Sequence, residues 1–259
     1  MTSQEQPHVD AYAARQVGAS LAPFDYVPVE LGPHDVEIEI THCGICHSDL
    51  HLIDNDWQTS QYPLVPGHEV VGTVARKGPL VTHLDLGARV GVGWQCGSCL
   101  QCEWCERGDE NLCAGIVETC VGRHGGFADR IRVDGRFAFS IPDSLSSEVA
   151  APLLCGGITV YSPLRRYARP QSRVGIIGIG GLGHLAEPVS IHTGMLMARS
   201  RSVTSSPIGG RFLMREMLDF AARHGVGAQV ETLPMSEVNI ARDRLRRNDV
   251  RYRFVLSRD

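Results

Sequence analysis

The chain has 259 residues, of which 43% are apolar, and 25 Lys and Arg residues against 29 Asp and Glu residues give a net charge of −4. This length predicts one large domain or two modest ones, and the near-neutral balance excludes nucleic acid as the expected partner. The sequence contains no run of about 18 apolar residues, so no membrane-spanning helix is predicted, and the first ten residues lack the pattern of a signal peptide. We therefore expect a cytoplasmic protein that does not bind membranes.

The first 150 residues predict an all-β region with loops. Residues 36–40 alternate apolar and polar side chains, and residues 70–75 follow a turn at Pro66 and Gly67. Such alternation is typical of sheets with one solvated face, and helical periodicity is weak before about residue 148.

Nine cysteines are present, and five of them lie between positions 96 and 113. Without a secretory signal, this cluster indicates a metal site rather than a disulfide framework. The spacing C-x2-C-x2-C-x7-C is typical of four thiolates around a structural zinc ion, here Cys99, Cys102, Cys105 and Cys113. Cys96 lies three residues before Cys99, so a shifted set of four also fits the spacing, and reduced, packed cysteines are the simpler alternative.

A second set of zinc-type side chains is spread along the chain, at Cys46, His68 and Cys155. Two thiolates and an imidazole leave one position of a tetrahedral zinc ion open for water or substrate. Spacing alone does not select these three residues, since a lone His or Cys is more often a core or surface residue than a ligand.

The character of the chain changes after residue 146, where an α/β unit is predicted. Residues 146–154 predict a capped helix, and the apolar run 173–177 leads directly into residues 178–183, Gly-Ile-Gly-Gly-Leu-Gly. This G-x-G-x-x-G pattern allows a pyrophosphate to approach the backbone, although glycine clusters also mark ordinary turns. Further on, helices are predicted over residues 215–223 and 236–247, the second capped at its start, and strands over 229–233 and 251–256.

At these motifs the sequence resembles the zinc-dependent alcohol dehydrogenases of the medium-chain dehydrogenase/reductase superfamily, in the cinnamyl-alcohol-dehydrogenase-like branch of NADP-dependent aldehyde reductases. The resemblance covers most of residues 10–186 and 188–256, and its most specific segments are CGICHSDLH at 43–51, YPLVPGHE at 62–69 and APLLCGGITVYSPL at 151–164. It implies a mixed α/β fold with a GroES-like β-rich catalytic domain over residues 1–152, completed by 226–259. An incomplete Rossmann-like domain for NAD(P) is implied over 153–225.

The resemblance implies hydride transfer between NADP(H) and a primary alcohol or aldehyde, a small-molecule substrate, with two Zn²⁺ ions per chain. It assigns the catalytic zinc to Cys46, His68 and Cys155, and the structural zinc to Cys99, Cys102, Cys105 and Cys113. It places Asp49 and Glu69 around the catalytic ligands, Ser48 and His51 in a proton relay, and Trp57 and Trp94 on the pocket walls. The implied cofactor contacts are His47, Thr159, Gly178, Gly180, Gly181, Leu182 and Gly183.

The region that should bind the cofactor is short. A complete dinucleotide-binding fold needs roughly 130 to 150 residues, whereas only 86 residues remain from Val174 to Asp259. A segment on the order of 90 residues is therefore predicted to be absent near Ala186. Two hypotheses follow, an active dehydrogenase or an inactive zinc-binding remnant that binds NADP(H) poorly or not at all. A homodimer is expected if the late strands still pair.

Overall fold

The computed structural model describes residues 8–174 and 205–258, and a long strand, β3, organises that part of the chain. The strands are β1 Val9–Ala13, β2 Ala22–Tyr26, β3 Asp35–Ile45, β4 Glu69–Lys77, β5 Arg89–Val92, β6 Gln95–Gly97, β7 Val117–Glu118, β8 Arg130–Asp134, β9 Phe139–Ser140, β10 Val230–Pro234 and β11 Arg253–Ser257. The helices are α1 His47–Asp54, α2 Glu103–Glu106, α3 Ser147–Pro152, α4 Ile158–Tyr167, α5 Arg211–His224 and α6 Val238–Arg246. A π-helical turn, Leu153–Gly157, joins α3 to α4. The predicted mixed α/β fold is confirmed.

The main sheet has seven strands, with the order β10-β11-β3-β4-β5-β9 and with β8 also paired to β3. β4 pairs along one edge of β3, and β8 and β11 share the other edge. These pairings are antiparallel, whereas β10 and β11 are parallel. The strands predicted at residues 36–40 and 70–75 are confirmed as parts of β3 and β4.

The C-terminal segment returns to the N-terminal part of the chain. β11 pairs with β3 from Phe254 opposite Ile45 to Ser257 opposite His42. The side chain of Asn239 on α6 exchanges hydrogen bonds with the backbone of Leu21, at 2.8 and 3.0 Å. These contacts support the predicted completion of the first domain by residues 226–259, and the domain boundaries themselves stay a prediction.

An apolar cluster joins the helices to the main sheet. Its members come from the π-helical turn, from α3, α4 and α5, and from β4, β9 and β11. They include Leu153, Leu154, Ile158, Met214, Met217, Leu218, Val71 and Val255. Helix α5 extends the helix predicted at 215–223 and ends at Gly225, which has a left-handed conformation (φ 64°).

Two local predictions are wrong. The first 150 residues are not all β, because α1 follows β3; its eight residues are too few for a helical period to be visible in the sequence. The helix predicted from Ser236 begins at Val238, because Ser236 lies in a 3-10 turn. Within residues 8–174 and 205–258, no helix has the length and apolar character required to cross a membrane.

Candidate metal centres

Three segments that are distant in sequence meet at one buried cluster, called here the central cluster, of Cys46, His68, Glu69 and Cys155. The ligand-type atoms of these side chains all lie within 4.8 Å of one another. Cys46 follows β3 and His68 precedes β4, and the pairing of Gly44 with Glu69 brings these two strand ends together. Cys155 lies on the π-helical turn, a local geometry that is frequent at functional sites. Strand register and one helical irregularity therefore build this cluster.

Asp49 holds two of these segments in place. Its Oδ2 accepts the Cys46 N–H at 2.8 Å, and its Oδ1 accepts the Gly67 N–H at 2.9 Å. Oδ1 also lies 3.0 Å from Nδ1 of His68, whose side chain is fully buried. Because a carboxylate only accepts, this bond makes Nδ1 the donor and directs Nε2 toward the sulfurs. The predicted contact between Asp49 and His68 is present.

Glu69 is fully buried beside the cluster and is balanced by Arg253 of β11, whose Nη1 lies 3.1 Å from Oε1. The Glu69–Arg253 pair fits here because two neighbouring residues are glycines. A Cβ on Gly44 would lie 2.0 Å from Oε2 of Glu69, and a Cβ on Gly156 would lie 2.6 Å from Nη2 of Arg253. Burial raises the pKa of Glu69 to about 7, against the opposing charge of Arg253. Sequence reasoning missed Arg253, which only the β11–β3 pairing brings to the site.

The crowding of donors shifts the protonation of the central cluster. A hydrogen bond from Cys155 lowers the pKa of Cys46 well below the usual cysteine range, and the same bond raises the pKa of Cys155. Burial acts to lower the pKa of His68, but the charges of Asp49 and Cys155 outweigh it, so this pKa rises well above its ordinary value. The protonation of each of these buried groups therefore depends on its neighbours in the cluster.

This donor set fits a zinc ion. Nε2 of His68 is buried and has no hydrogen-bond partner among the described residues, and the same holds for Oε2 of Glu69, whereas Oε1 is ion-paired with Arg253. Buried polar atoms are normally paired, so two such atoms beside two sulfurs indicate a site for a cation. Two thiolates and an imidazole are ligands that zinc accepts in tetrahedral sites with one open position.

The predicted relay residues lie on α1, next to the central cluster. Ser48 Oγ is 3.7 Å from Cys46 Sγ. His51 is partly exposed, and its Nδ1 lies 2.7 Å from Oδ2 of Asp56. Asp56 was not identified from the sequence, because an aspartate in a polar loop carries no distinguishing signal. Its carboxylate orients the His51 ring, as carboxylates commonly do for histidines.

Aromatic rings form a wall beside the cluster. The Trp94 ring lies 4.8 Å from the His68 ring in an edge-on arrangement, and 5.8 Å from the Trp57 ring. Both tryptophans therefore lie on the His68 side of the cluster, and their role as pocket walls stays a prediction. Cys120, which the sequence did not single out, is buried within 4.8 Å of His68 and Asp49 ligand atoms and borders the same site.

The second centre is the loop of four cysteines. The ligand atoms of all four again lie within 4.8 Å of one another. Three of the sulfur pairs are separated by 3.4, 3.6 and 3.9 Å. A tetrahedral zinc ion with sulfurs at about 2.3 Å separates neighbouring sulfurs by about 3.8 Å, so these three separations are close to those of such a site. The four members are Cys99, Cys102, Cys105 and Cys113.

The shifted set that includes Cys96 does not form. Cys96 is buried on β6, where Nη1 of Arg123 donates to its sulfur at 3.0 Å. Within the set that does form, Cys99 is exposed, and hydrogen bonds from the Gln101 backbone and from Cys113 lower the pKa of Cys99 to about 6. A thiolate at neutral pH is the form that binds metal.

The predicted cofactor contacts are only partly visible. His47 is the first residue of α1 and Thr159 lies in the first turn of α4, and both are partly buried. Neither position tests a contact with a nucleotide. The remaining five, Gly178, Gly180, Gly181, Leu182 and Gly183, lie outside the described residues.

Comparison with known proteins gives a consistent result. Residues 32–143 match the family model of the alcohol dehydrogenase GroES-like domain. The aldehyde reductase AdhA of Synechocystis is 35% identical, in an alignment that covers 96% of this chain and 98% of that protein. A probable cinnamyl alcohol dehydrogenase of Arabidopsis thaliana is 33% identical, with 99% and 96% covered. These alignments run over 331 and 349 residues, whereas this chain has 259, so parts of both relatives have no counterpart here.

Solved structures agree with this result. A cinnamyl alcohol dehydrogenase of Sorghum bicolor superposes with a TM-score of 0.92 at 32% identity, covering 97% of this chain and 98% of that one. A protein of the same name from Helicobacter pylori shares the fold, with a TM-score of 0.84 at 24% identity and with 98% and 99% covered. Ligand chemistry, fold and sequence thus lead to one conclusion: the chain belongs to the zinc-type medium-chain alcohol dehydrogenases, in the branch of the cinnamyl alcohol dehydrogenases and aldehyde reductases.

Proposed function

We propose that this chain interconverts an aldehyde and a primary alcohol with NADP(H), at a zinc ion held by Cys46, His68 and Cys155. The observation that carries the proposal is the buried cluster in which Nε2 of His68 faces two sulfurs without another described partner. The preference for NADP(H) rests on the sequence resemblance alone.

The residues around this cluster have separate tasks. When bound, zinc supplies Lewis acidity to a carbonyl oxygen, and NADP(H) supplies or accepts the hydride. Asp49 keeps His68 in the tautomer that offers Nε2, and Ser48 gives a proton to the oxygen during reduction. His51, oriented by Asp56, passes protons between this serine and solvent.

Other predicted residues line the substrate pocket, hold the structural zinc ion or contact the nucleotide in this proposal. Trp57 and Trp94 form an apolar wall that excludes water beside the reacting carbonyl. Cys99, Cys102, Cys105 and Cys113 hold the structural zinc ion. The nucleotide is assigned to His47, Thr159, Gly178, Gly180, Gly181, Leu182 and Gly183, with its pyrophosphate at the glycines. We further propose the catalytic and cofactor-binding divisions at 1–152 with 226–259 and at 153–225, a homodimer, and a cytoplasmic location.

A second candidate function is an inactive zinc-binding remnant of the family. It is favoured by the alignments, which run over 331 residues or more against the 259 of this chain. A missing segment near Ala186 would remove strands of the nucleotide-binding sheet, and with them the crevice that holds a dinucleotide. Both metal centres lie among the described residues and would survive such a deletion.

Aldehyde-dependent NADPH oxidation by the purified chain, with zinc counted on the same sample, separates the two candidates. Turnover with two zinc ions supports the dehydrogenase, and two ions without turnover or NADPH binding support the remnant.

In an active enzyme, Ser48→Ala should lower kcat about 100-fold or more, because the proton donor is lost, without changing the zinc content. Ser144→Ala, at an exposed serine, is the matched control and should leave kcat unchanged. Equal rates in both variants would contradict the role of Ser48.

A further inference from the structure

The loop of four cysteines is joined to the start of helix α5 by a buried carboxylate. Glu110 has 2% of its surface exposed, and its two oxygens accept from the backbone N–H and from Nε of Arg211, at 3.0 and 2.6 Å. Nδ2 of Asn111 donates to the carbonyl of Pro207 at 2.9 Å. The loop therefore fixes the residues from which α5 begins.

Glu110 is also tied directly to a cysteine of the loop. Its carbonyl accepts the backbone N–H of Cys113 at 3.1 Å and Nε2 of Gln95 at 2.9 Å. The backbones of loop and helix nearly touch, since a Cβ on Gly210 would lie 1.8 Å from the carbonyl oxygen of Gly108. Any change in the position of Cys113 is thus transmitted to the N-terminus of α5.

Helix α5 in turn supports the π-helical turn that carries Cys155. Met214 and Met217 of α5 are buried in one cluster with Leu154 of that turn. A Cβ on Gly157 would lie only 3.4 Å from the Met217 sulfur, so the helix and the turn are in close packing. The order of α5 therefore affects how firmly Cys155 is held.

We propose that Glu110 is a positioning residue that couples zinc binding at the loop of four cysteines to zinc binding at the central cluster. An ion at the loop fixes Cys113 and Glu110, Glu110 fixes α5, and α5 fixes the turn with Cys155. The proposal rests on the two zinc sites of the proposed function. Because binding free energies are linked, an ion at the central cluster strengthens binding at the loop by the same factor.

The test is a double-mutant cycle on zinc affinity of the full chain. The affinity of the central cluster is measured with the loop intact and zinc-filled, and again in a Cys99→Ser/Cys102→Ser variant whose loop cannot hold the ion. The ratio of the two affinities should be about fivefold or more. In a Glu110→Ala background the ratio should fall close to one. Glu106→Ala, at an exposed glutamate of the same loop, should keep the original ratio.

Hydrogen exchange provides a readout that does not depend on activity. Zinc should slow exchange of the α5 amides in the unmodified chain and in Glu106→Ala, but not in Glu110→Ala. If Glu110→Ala does not fold, Glu110→Gln, which keeps an acceptor but loses the charge opposite Arg211, should lower the ratio partway. A ratio near one in the unmodified chain, or an unchanged ratio in the Glu110 variants, overturns the coupling. Absence of zinc at both sites would overturn the proposed function as well.

Discussion

The two metal centres use similar ligands but are built in opposite ways. The loop of four cysteines draws all its sulfurs from residues 99–113, and Cys99 is exposed there. The central cluster draws its donors from three segments around residues 46, 68 and 155, all buried. A metal ion can organise ligands that are close in sequence, whereas distant ligands must be brought together by the fold first. In the proposed function, an ion at the loop would therefore serve stability and an ion at the central cluster would serve chemistry.

The largest expected difference between the centres concerns metal removal. At a zinc concentration a thousand times Kd, bound zinc stabilises a site by about 4 kcal/mol, so chelation should accelerate exchange of the amides in 99–113 by up to about a thousandfold. The amides next to Cys46, His68 and Cys155 should change far less, since sheet and helix packing hold them. Hydrogen exchange with and without a chelator measures both.

Cys96→Ser is the control for this experiment, because Cys96 lies in the same region but bonds to Arg123 instead of joining the loop's sulfurs. The variant should keep the zinc dependence of exchange in 99–113. Similar acceleration at both centres would show that the central cluster also depends on its ion for structure.

Asp49→Ala should weaken zinc binding at the central cluster about 10- to 100-fold, because the residue that orients His68 and Cys46 is lost. Binding at the loop of four cysteines should weaken by no more than the coupling factor between the two sites, about fivefold. Competition against a chromophoric chelator measures both affinities. Asp54→Ala, on the same helix but paired with Arg246 at the surface, is the matched control. Equal weakening at both centres would mean that Asp49 acts on global stability instead.

The smallest expected difference is in pH dependence. Zinc affinity should fall at both centres as pH falls, because ligands must lose their protons to bind metal. The fall in zinc affinity should be steeper at the loop, where all four ligands are thiols, than at the central cluster, where two ligands are thiols and the third is an imidazole. Zinc affinities between about pH 6 and pH 9 measure the two slopes. Equal slopes would contradict the assignment of four thiolates to the loop.

The sequence predicted local features better than distant ones. Strands β3 and β4, helix α5 and the four-cysteine set were all visible as patterns within a short window. Helix α1 was missed because eight residues show no clear period, and the cap at Ser236 was misplaced because a 3-10 turn precedes the helix. Spacing alone fits both Cys96 and Cys113 as the fourth sulfur; the family resemblance favoured Cys113, and the structure places Cys113 with the other three sulfurs.

By itself, the sequence determined the ligand types, the family resemblance and the shortness of the region after the glycines. Only the tertiary structure decided which donors meet. The register of β3 with β4 joins Cys46 to His68, and the pairing of β11 with β3 brings Arg253 to Glu69. The burial of Glu110 against α5 likewise has no signature in the sequence. The physical reason is that spacing along the chain constrains only neighbours, whereas contacts between distant residues depend on strand register and helix packing.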